Sequence, residues 1–147
     1  MRQPELSIVI PARNEEKRLG ATLVDYHRFY SSLGVSFEIV VVCSGCQDGT
    51  FDLAKSYGRR LHNIRIFNES QPGKGRAIKR GLREAEGRLC LFVDADNSTK
   101  PIESYKLVQN VQDGYQVAVG SRKLPLSIVP IRQPLARRIA SFGFMML

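Results

Sequence analysis

The sequence predicts an α/β fold: an open, mainly parallel sheet with crossover helices, followed by a C-terminal amphipathic helix. Short apolar runs rich in Val, Ile, Leu and Phe alternate along the chain with segments of helical periodicity. In addition, 147 residues with 43% hydrophobic side chains suffice for one domain with its own core. We therefore expect one domain over residues 1–124 and, over 125–147, a loop and the start of a further helix.

Five apolar runs have the length and composition of β-strands. Each is followed by a cluster of polar and small residues, as expected where a strand of a parallel sheet ends. The runs predict strands at about residues 6–11, 38–43, 63–67, 89–94 and 116–120.

The segments between these runs predict four helices. The first carries apolar residues at Leu19, Leu23, Tyr26, Tyr30 and Leu33, and a shorter second helix contains residues 53–57. The third covers about residues 74–86 and has an apolar stripe opposite a basic face, whereas Lys74 falls on the sheet side of its first turn. The fourth follows Pro101, which is acceptable in a first turn. The stripe of the third helix comprises Ala77, Ile78, Gly81, Leu82 and Ala85.

The pattern changes after residue 120. "SRKLPLSIVPIRQP" contains three prolines and predicts an irregular loop, and "LARRIASFGFMML" resumes helical spacing. The nine residues 139–147 are fewer than the ~20 that span a bilayer. This pattern fits a helix at a membrane interface, a helix covered by a partner such as a second copy of the chain, or a cut made in a longer protein.

Composition narrows the class of protein. The N-terminus carries no secretory signal, and three cysteines are too few for a disulfide scaffold, so we expect a cytoplasmic protein. The net charge is +8, and the excess lies in residues 61–147, which hold fourteen Lys and Arg against seven Asp and Glu. Phosphate groups, nucleic acid and anionic lipids all fit this charge. A nucleic-acid role does not explain the clustered acidic residues, and no base-stacking aromatic residues are interleaved with the basic ones.

Polar motifs follow each predicted strand and should meet at one sheet edge. Asp94, Ala95 and Asp96 end the fourth strand, where two carboxylates can approach one hard divalent ion, Mg or Mn; a turn with helix-capping aspartates is the alternative. Gly73 and Lys74 belong to "QPGKGRA", whose glycines let the backbone approach a phosphate. This segment lacks the glycine spacing of a Walker loop.

The loop after the second strand, "CSGCQDGT", raises a different question. Cys43 and Cys46 have the spacing of a thioredoxin-type redox pair at a strand-to-helix junction. As half of a zinc site they lack partners with metal-like spacing. We favour a packing role for both cysteines.

The order of these motifs resembles the A-type nucleotide-sugar glycosyltransferases of family 2. The resemblance rests on "SIVIPARNEE", a Gly/Asp loop after the second strand, "GKGRAIKRG" and "LCLFVDADNSTK". Within that family, "DADNSTK", "AVGSRK" and "ARRIASFGF" are most similar to dolichyl-phosphate glucosyltransferases and their mannosyl relatives. The resemblance covers essentially the whole chain and implies the Rossmann-like A-type glycosyltransferase fold.

The resemblance also assigns residues to roles. It implies that Asp94 and Asp96 bind the metal and, with Arg122, are catalytic. It implies an acceptor-phosphate site with a Ser-Arg pair and a basic pair in the membrane-facing helix: Ser121, Arg122, Arg137 and Arg138. The residues assigned to the nucleotide sugar are Pro11, Ala12, Arg13, Asn14, Glu15, Cys43, Ser44, Gly73, Lys74, Asp94 and Ala95.

The expected activity is metal-dependent, inverting transfer of a hexose to a polyprenyl phosphate at the cytoplasmic membrane face, by a peripheral protein. The favoured donor is UDP-glucose, with GDP-mannose as the alternative. The cysteines of "CSGC" replace an aspartate and a serine of the usual family loop. A carboxylate that could accept a hydrogen bond from the nucleotide base is thereby lost, so the sequence predicts the class of donor better than the identity of its base. The competing hypothesis is a truncated or degenerate module that binds a nucleotide or phosphate without turnover.

Overall fold

A computed structural model describes residues 3–121, in which strands and helices alternate as the sequence predicts. Each strand is followed by a helix, and the apolar runs form the strands. The elements are β1 (Leu6–Ala12), α1 (Leu19–Ser32), β2 (Phe37–Ser44), α2 (Thr50–Arg60), β3 (Ile64–Glu69), α3 (Lys74–Glu84), β4 (Leu89–Phe92) and α4 (Pro101–Gln112).

The four described strands form one parallel sheet in the order β3-β2-β1-β4. Ala12 at the end of β1 lies opposite Cys43 in β2, and Val9 lies opposite Phe92 at the end of β4. All strands point the same way, so the loops that follow them lie along one edge, here called the carboxyl edge. The predicted open parallel sheet is confirmed.

Helices cover both faces of the sheet. The larger core lies between one face and the helices α1, α2 and α4, which contribute Leu23, Ala54 and Val108. On the other face α3 packs on β1 and β2, where Ala77 forms a second buried cluster with Val9, Val40 and Val42. The sheet therefore separates α3 from the other three helices and brings the start of α3 to the carboxyl edge.

The opposite, amino edge is held by a buried carboxylate. Glu38 accepts hydrogen bonds from Ser7 Oγ at 2.6 Å, from the Glu86 backbone N–H at 2.6 Å and from Arg65 Nη1. Burial alone would raise the pKa of Glu38, but these hydrogen bonds and the Arg65 charge outweigh it and lower the pKa below its ordinary value. Glu38 therefore ties β1, β2, β3 and the segment after α3 together as an anion.

Two predictions about the strands are wrong. Residues 116–120 form no strand, and Val117 and Val119 are 76% and 80% exposed. An alternating apolar pattern forms a strand only beside a partner, and no described strand pairs with this segment. The fourth strand ends at Phe92 rather than at Asp94. Asp94 and Asp96 consequently lie in a loop, here called the aspartate loop and comprising residues 94–99.

The predicted helices are confirmed, with one change in the third. Ala77 and Gly81 are buried against the sheet, whereas Leu82 is 43% exposed, so the buried stripe is narrower than predicted. Within residues 3–121, no helix is long and apolar enough to cross a membrane. The predicted loop and helix over 125–147 lie outside the described residues.

Candidate functional site

The loops after β1 and β2 interlock at the carboxyl edge. Asn14 adopts a left-handed backbone conformation with φ of 54°, and its Oδ1 accepts a hydrogen bond from the Gln47 backbone N–H at 2.9 Å. The Glu15 backbone N–H donates to Thr50 Oγ1 at 2.8 Å. Glu16 Oε2 accepts a 3.1 Å hydrogen bond from the N–H of Gly49, just before α2. These contacts hold the two loops as one surface.

The start of α2 is capped by a carboxylate. Asp48 Oδ1 accepts hydrogen bonds from the Thr50 hydroxyl and, at 3.0 Å, from the Thr50 backbone N–H. The hydroxyl contact lowers the pKa of Asp48 below its ordinary value. Gly45, with φ of 56°, lies so close to Pro72 that a Cβ there would be 2.9 Å from its Cα. The loop after β2 is therefore also fixed against the segment before α3.

The two cysteines of that loop lie in different environments. Cys43 is fully buried in the core, and burial, with the neighbouring Cys46, raises its pKa from 9.0 to about 12. The Cys46 thiol is partly buried and donates to the Ala12 carbonyl at 3.6 Å. A thiol with so high a pKa stays protonated at neutral pH and is a poor nucleophile. The structure therefore fits the packing role predicted for Cys43.

The glycine–lysine start of α3 meets the aspartate loop. Lys74, the first residue of α3, places its Nζ 2.5 Å from Asp94 Oδ1. Gly73 has φ of 153°, and a Cβ at Gly75 would have no heavy atom within 4 Å. The first turn of a helix leaves backbone N–H groups without intrahelical partners. This corner thus combines an ammonium group, open backbone and two carboxylates.

The aspartate loop has the donor chemistry of a site for a hard divalent ion. Asp94 and Asp96 are both half-buried, and Asp96 Oδ1 accepts a hydrogen bond from the Ser98 backbone N–H at 3.0 Å. Carboxylate oxygens are the ligands that Mg²⁺ and Mn²⁺ prefer. Among the described residues, no three His, Cys, Asp or Glu side chains are grouped to hold a metal. Two carboxylates can hold such an ion together with phosphate oxygens and water.

Helix α1 supports the aspartate loop through contacts that the sequence analysis did not identify. Thr22 Oγ1 donates to the Ala95 carbonyl at 2.8 Å, and Tyr26 Oη donates to the Thr99 carbonyl at 3.0 Å. Tyr26 was predicted only as part of the apolar stripe. Its spacing gave no sign of the second role, because a tyrosine on a buried helical face satisfies the hydrophobic pattern whether or not its hydroxyl has a partner.

The other predicted site residues are distributed between surface and core. Arg13 is exposed at the carboxyl edge, and Glu15 is half-buried and paired with Arg18 at 2.7 Å. Ser121 is exposed. Arg122, Arg137 and Arg138, predicted for the acceptor phosphate, lie outside the described residues. Five of the residues predicted to contact the nucleotide sugar are buried, namely Pro11, Ala12, Cys43, Ser44 and Ala95.

Comparison with known sequences identifies the family to which the chain is related. Residues 7–135 match the family model of glycosyl transferase family 2. A dolichyl-phosphate beta-glucosyltransferase of Trichomonas vaginalis is 36% identical over 96% of this chain and 46% of its own length. The chain thus spans about half the length of this relative.

Solved structures share the same architecture. The mannosyl-3-phosphoglycerate synthase of Rubrobacter xylanophilus superposes with a TM-score of 0.64 and 26% identity, over 76% of this chain and 37% of that protein. S. aureus TarS, solved in complex with UDP, superposes with a TM-score of 0.53 and 28% identity, over 63% of this chain and 27% of that protein. The predicted A-type glycosyltransferase fold is therefore confirmed for the described residues.

Proposed function

Because the chain belongs to glycosyl transferase family 2, we propose that it transfers a hexose from a nucleotide diphosphate sugar to a polyprenyl phosphate, with inversion at the sugar carbon. The name of the Trichomonas relative supports glucose and a polyprenyl acceptor, and UDP in the TarS complex supports a uridine donor. GDP-mannose is the alternative donor. The observation that carries the proposal is the contact of Lys74 with Asp94 at the carboxyl edge. It supports a site in which the ammonium group binds a diphosphate and the carboxylate binds its metal ion.

Lys74 would bind the diphosphate while keeping its contact with Asp94. An ammonium group has three N–H donors, so one can stay on Asp94 and the others can reach phosphate oxygens. The Lys74 side chain is 61% exposed and therefore open to a ligand. The first-turn N–H groups of α3 and the open Gly75 backbone add donors for the same phosphates. Together these groups would orient the donor and stabilise the negative charge that develops on the departing diphosphate.

Asp94 and Asp96 would hold Mg or Mn, as their carboxylate chemistry allows. When bound, a divalent ion supplies charge neutralisation to the leaving diphosphate. The carboxylates alone would repel a diphosphate, so we expect donor binding at this edge to depend on the ion.

In the reaction, an oxygen of the acceptor phosphate attacks the anomeric carbon, and a new carbon–oxygen bond forms. The bond from that carbon to the diphosphate breaks on the opposite side, and the nucleotide diphosphate leaves with the electron pair. The acceptor phosphate is already anionic at neutral pH, so a strong general base is not needed. Ser121 and Arg122, with Arg137 and Arg138, are the residues proposed to face the acceptor phosphate.

The proposed site of action is the cytoplasmic face of a membrane, with the protein bound peripherally. The basic residues of segment 122–138 suit an anionic lipid surface, because each contributes about 1 kcal/mol near such a surface. The alternative to membrane binding is a homodimer that forms through the predicted C-terminal helix.

The decisive experiment measures UDP-glucose and GDP-mannose binding to the full 147-residue chain with Mn²⁺ and with EDTA, followed by transfer to a polyprenyl phosphate. We expect Mn²⁺-dependent binding and a lipid-linked hexose product. Asp96→Ala should abolish the Mn²⁺-dependent part of binding and leave the fold intact. The matched control is Asp113→Ala, which removes an exposed carboxylate after the last residue of α4, far along the chain from the aspartate loop.

The outcomes separate the hypotheses. Equal donor affinity in wild type and Asp96→Ala at saturating Mn²⁺ would disprove the metal assignment. Binding without transfer would support the module without turnover. Absence of nucleotide-sugar binding in the wild type would refute the proposal as a whole.

A further inference from the structure

Three side chains of α1 hold alternate residues of the aspartate loop. Thr22 Oγ1 donates to the Ala95 carbonyl, and Tyr26 Oη donates to the Thr99 carbonyl. Between these two contacts, Asn97 Nδ2 donates to Asp25 Oδ2 at 2.7 Å. The helix thus fixes residues 95, 97 and 99. Asp94 directly precedes the first of these residues, and Asp96 lies between the first and the second.

Burial shows which way the loop is held. Thr22 and Tyr26 are fully buried, and Ala95 is 3% exposed, whereas the Asp94 side chain is 44% exposed. The alanine therefore points towards α1 and the core, and the aspartate is turned to the carboxyl edge. Asn97 has φ of 57°, a left-handed conformation that a residue other than glycine adopts at a cost unless its surroundings hold it. The contact with Asp25 supplies that restraint.

The hydroxyl groups act as donors to backbone carbonyls that no strand pairs. Burial, together with the charge of Asp94, raises the pKa of Tyr26 above 10.0, so its hydroxyl keeps its proton and donates. The aspartate loop begins after β4 has ended, so its carbonyls lack ladder partners and depend on side chains instead. Removing the Thr22 hydroxyl leaves the buried Ala95 carbonyl without that donor, and removing the Tyr26 hydroxyl does the same to the partly buried Thr99 carbonyl. Either change frees the loop to move.

We propose that Thr22 and Tyr26 are positioning residues: they fix the backbone of the aspartate loop so that Asp94 and Asp96 face a single metal–diphosphate. This inference rests on the proposed function of the carboxyl edge. Its physical basis is preorganisation, because a loop already ordered before binding loses less conformational entropy when the ligand arrives. Neither residue contacts the ligand; both act through the loop.

The test compares two phenylalanine substitutions on one helix. Tyr26→Phe removes the hydroxyl that contacts the loop. Tyr30→Phe is the matched control, because Tyr30 is also fully buried, lies one turn further along α1, and bonds through its hydroxyl to Ser104 in α4 at 3.2 Å. Both variants lose a buried hydroxyl contact, so both should lose similar thermal stability, and only one should change the aspartate loop.

The primary readout is the affinity for UDP measured by calorimetry, with Mn²⁺ and with EDTA. We expect Tyr26→Phe to weaken Mn²⁺-dependent binding by roughly three- to tenfold, the range that loss of one hydrogen bond predicts. Tyr30→Phe should bind as the wild type does. In EDTA all three proteins should bind UDP equally, because the loop acts through the ion. Hydrogen–deuterium exchange should be faster over residues 94–99 in Tyr26→Phe alone.

Thr22 provides an independent check. Thr22→Val keeps the side-chain shape and removes the hydroxyl, and should weaken Mn²⁺-dependent binding as Tyr26→Phe does; Thr22→Ser keeps the hydroxyl and should restore it. Wild-type affinity in both Tyr26→Phe and Thr22→Val at saturating Mn²⁺ would overturn the inference while leaving the proposed function standing. Equal losses in Tyr26→Phe and Tyr30→Phe would also overturn it. Lack of Mn²⁺-dependent binding of both UDP and GDP in the wild type would instead refute the proposed function, and the inference with it; if only GDP binds, the same comparison is made with GDP.

Discussion

The same glycine-to-alanine change at two positions of α3 should have opposite effects on stability. At Gly81 a Cβ would lie 2.3 Å from Val9 Cγ1 and 3.3 Å from Val42 Cγ2, and both valines are fully buried. Carbon atoms in contact are normally about 3.5–4.0 Å apart, so the helix or the strand would have to move by more than about 1 Å. At Gly75, by contrast, a Cβ would meet no heavy atom within 4 Å.

The magnitudes follow from two opposing effects. Overpacking a core costs about 1–3 kcal/mol, and the upper part of that range applies because valine χ1 is stiff and both neighbours are enclosed. Alanine gains about 1 kcal/mol over glycine inside a helix. Gly81→Ala should therefore lower the free energy of unfolding by about 1–2 kcal/mol. The melting temperature should fall by about 3–8 °C.

Gly75→Ala separates stability from binding. It should raise the free energy of unfolding by up to about 1 kcal/mol, because it reduces the freedom of the unfolded chain and has room in the fold. The same methyl group would stand where the backbone approaches phosphate, so UDP affinity in Mn²⁺ should fall. Urea unfolding and calorimetry measure the two quantities. A Gly81→Ala protein as stable as the wild type would refute the packing of α3 on β1, and unchanged UDP affinity in Gly75→Ala would refute a phosphate site there.

Three further predictions concern the rest of the molecule. Cys43→Ala with Cys46→Ala should preserve folding and UDP binding; release of bound zinc or loss of a dithiol reductase activity would favour a metal or redox role instead. Glu38→Gln should lower the free energy of unfolding by about 1–3 kcal/mol at pH 7. The fold lowers the pKa of Glu38, so this stabilisation is present above the pKa of the unfolded chain. It should be lost as the pH falls through the lower pKa of the folded protein, and urea unfolding at a series of pH values would show this loss. Arg137→Glu with Arg138→Glu should weaken binding to anionic vesicles by roughly tenfold or more, as should added salt; co-sedimentation that ignores both changes would show that these arginines do not contact lipid.

The sequence predicted the sheet well because each strand carried its own signal. Apolar residues fill β1 and β2 on both faces, and only strands in the middle of a sheet bury both faces in this way. The failures lie at the sheet edge. Residues 116–120 alternate like a strand, but pairing needs a neighbour with free backbone groups, and one sequence segment cannot show whether that neighbour exists. β4, an edge strand with Phe92 exposed, was overpredicted by two residues for the same reason.

The candidate site was predicted as a set of loops but not as a set of contacts. Topology alone brings the segments after β1, β3 and β4 to one edge, so motif order was enough to gather Asn14, Lys74 and Asp94 there. The ion pair between Lys74 and Asp94 joins residues 20 positions apart, and motif order alone does not show that the two side chains are in contact. The contacts from α1 join residues 73 positions apart, and local pattern carries no information at that separation.

The loop "CSGC" has cysteines where its resemblance to family 2 predicts an aspartate and a serine, and other contacts hold its backbone. Cys43 is directed into the core, and Ser44 is buried beside it, so neither side chain extends from the surface. The loop is instead held by backbone contacts, with the Gly45 N–H on the Glu69 carbonyl at 2.8 Å and the Gln47 N–H on Asn14. These two restraints use the side chain of neither cysteine, and the Cys46 thiol adds its own contact with the Ala12 carbonyl. The family resemblance predicts a carboxylate here that would accept a base N–H, and this loop lacks it, so we expect base selectivity to depend on backbone groups of this loop.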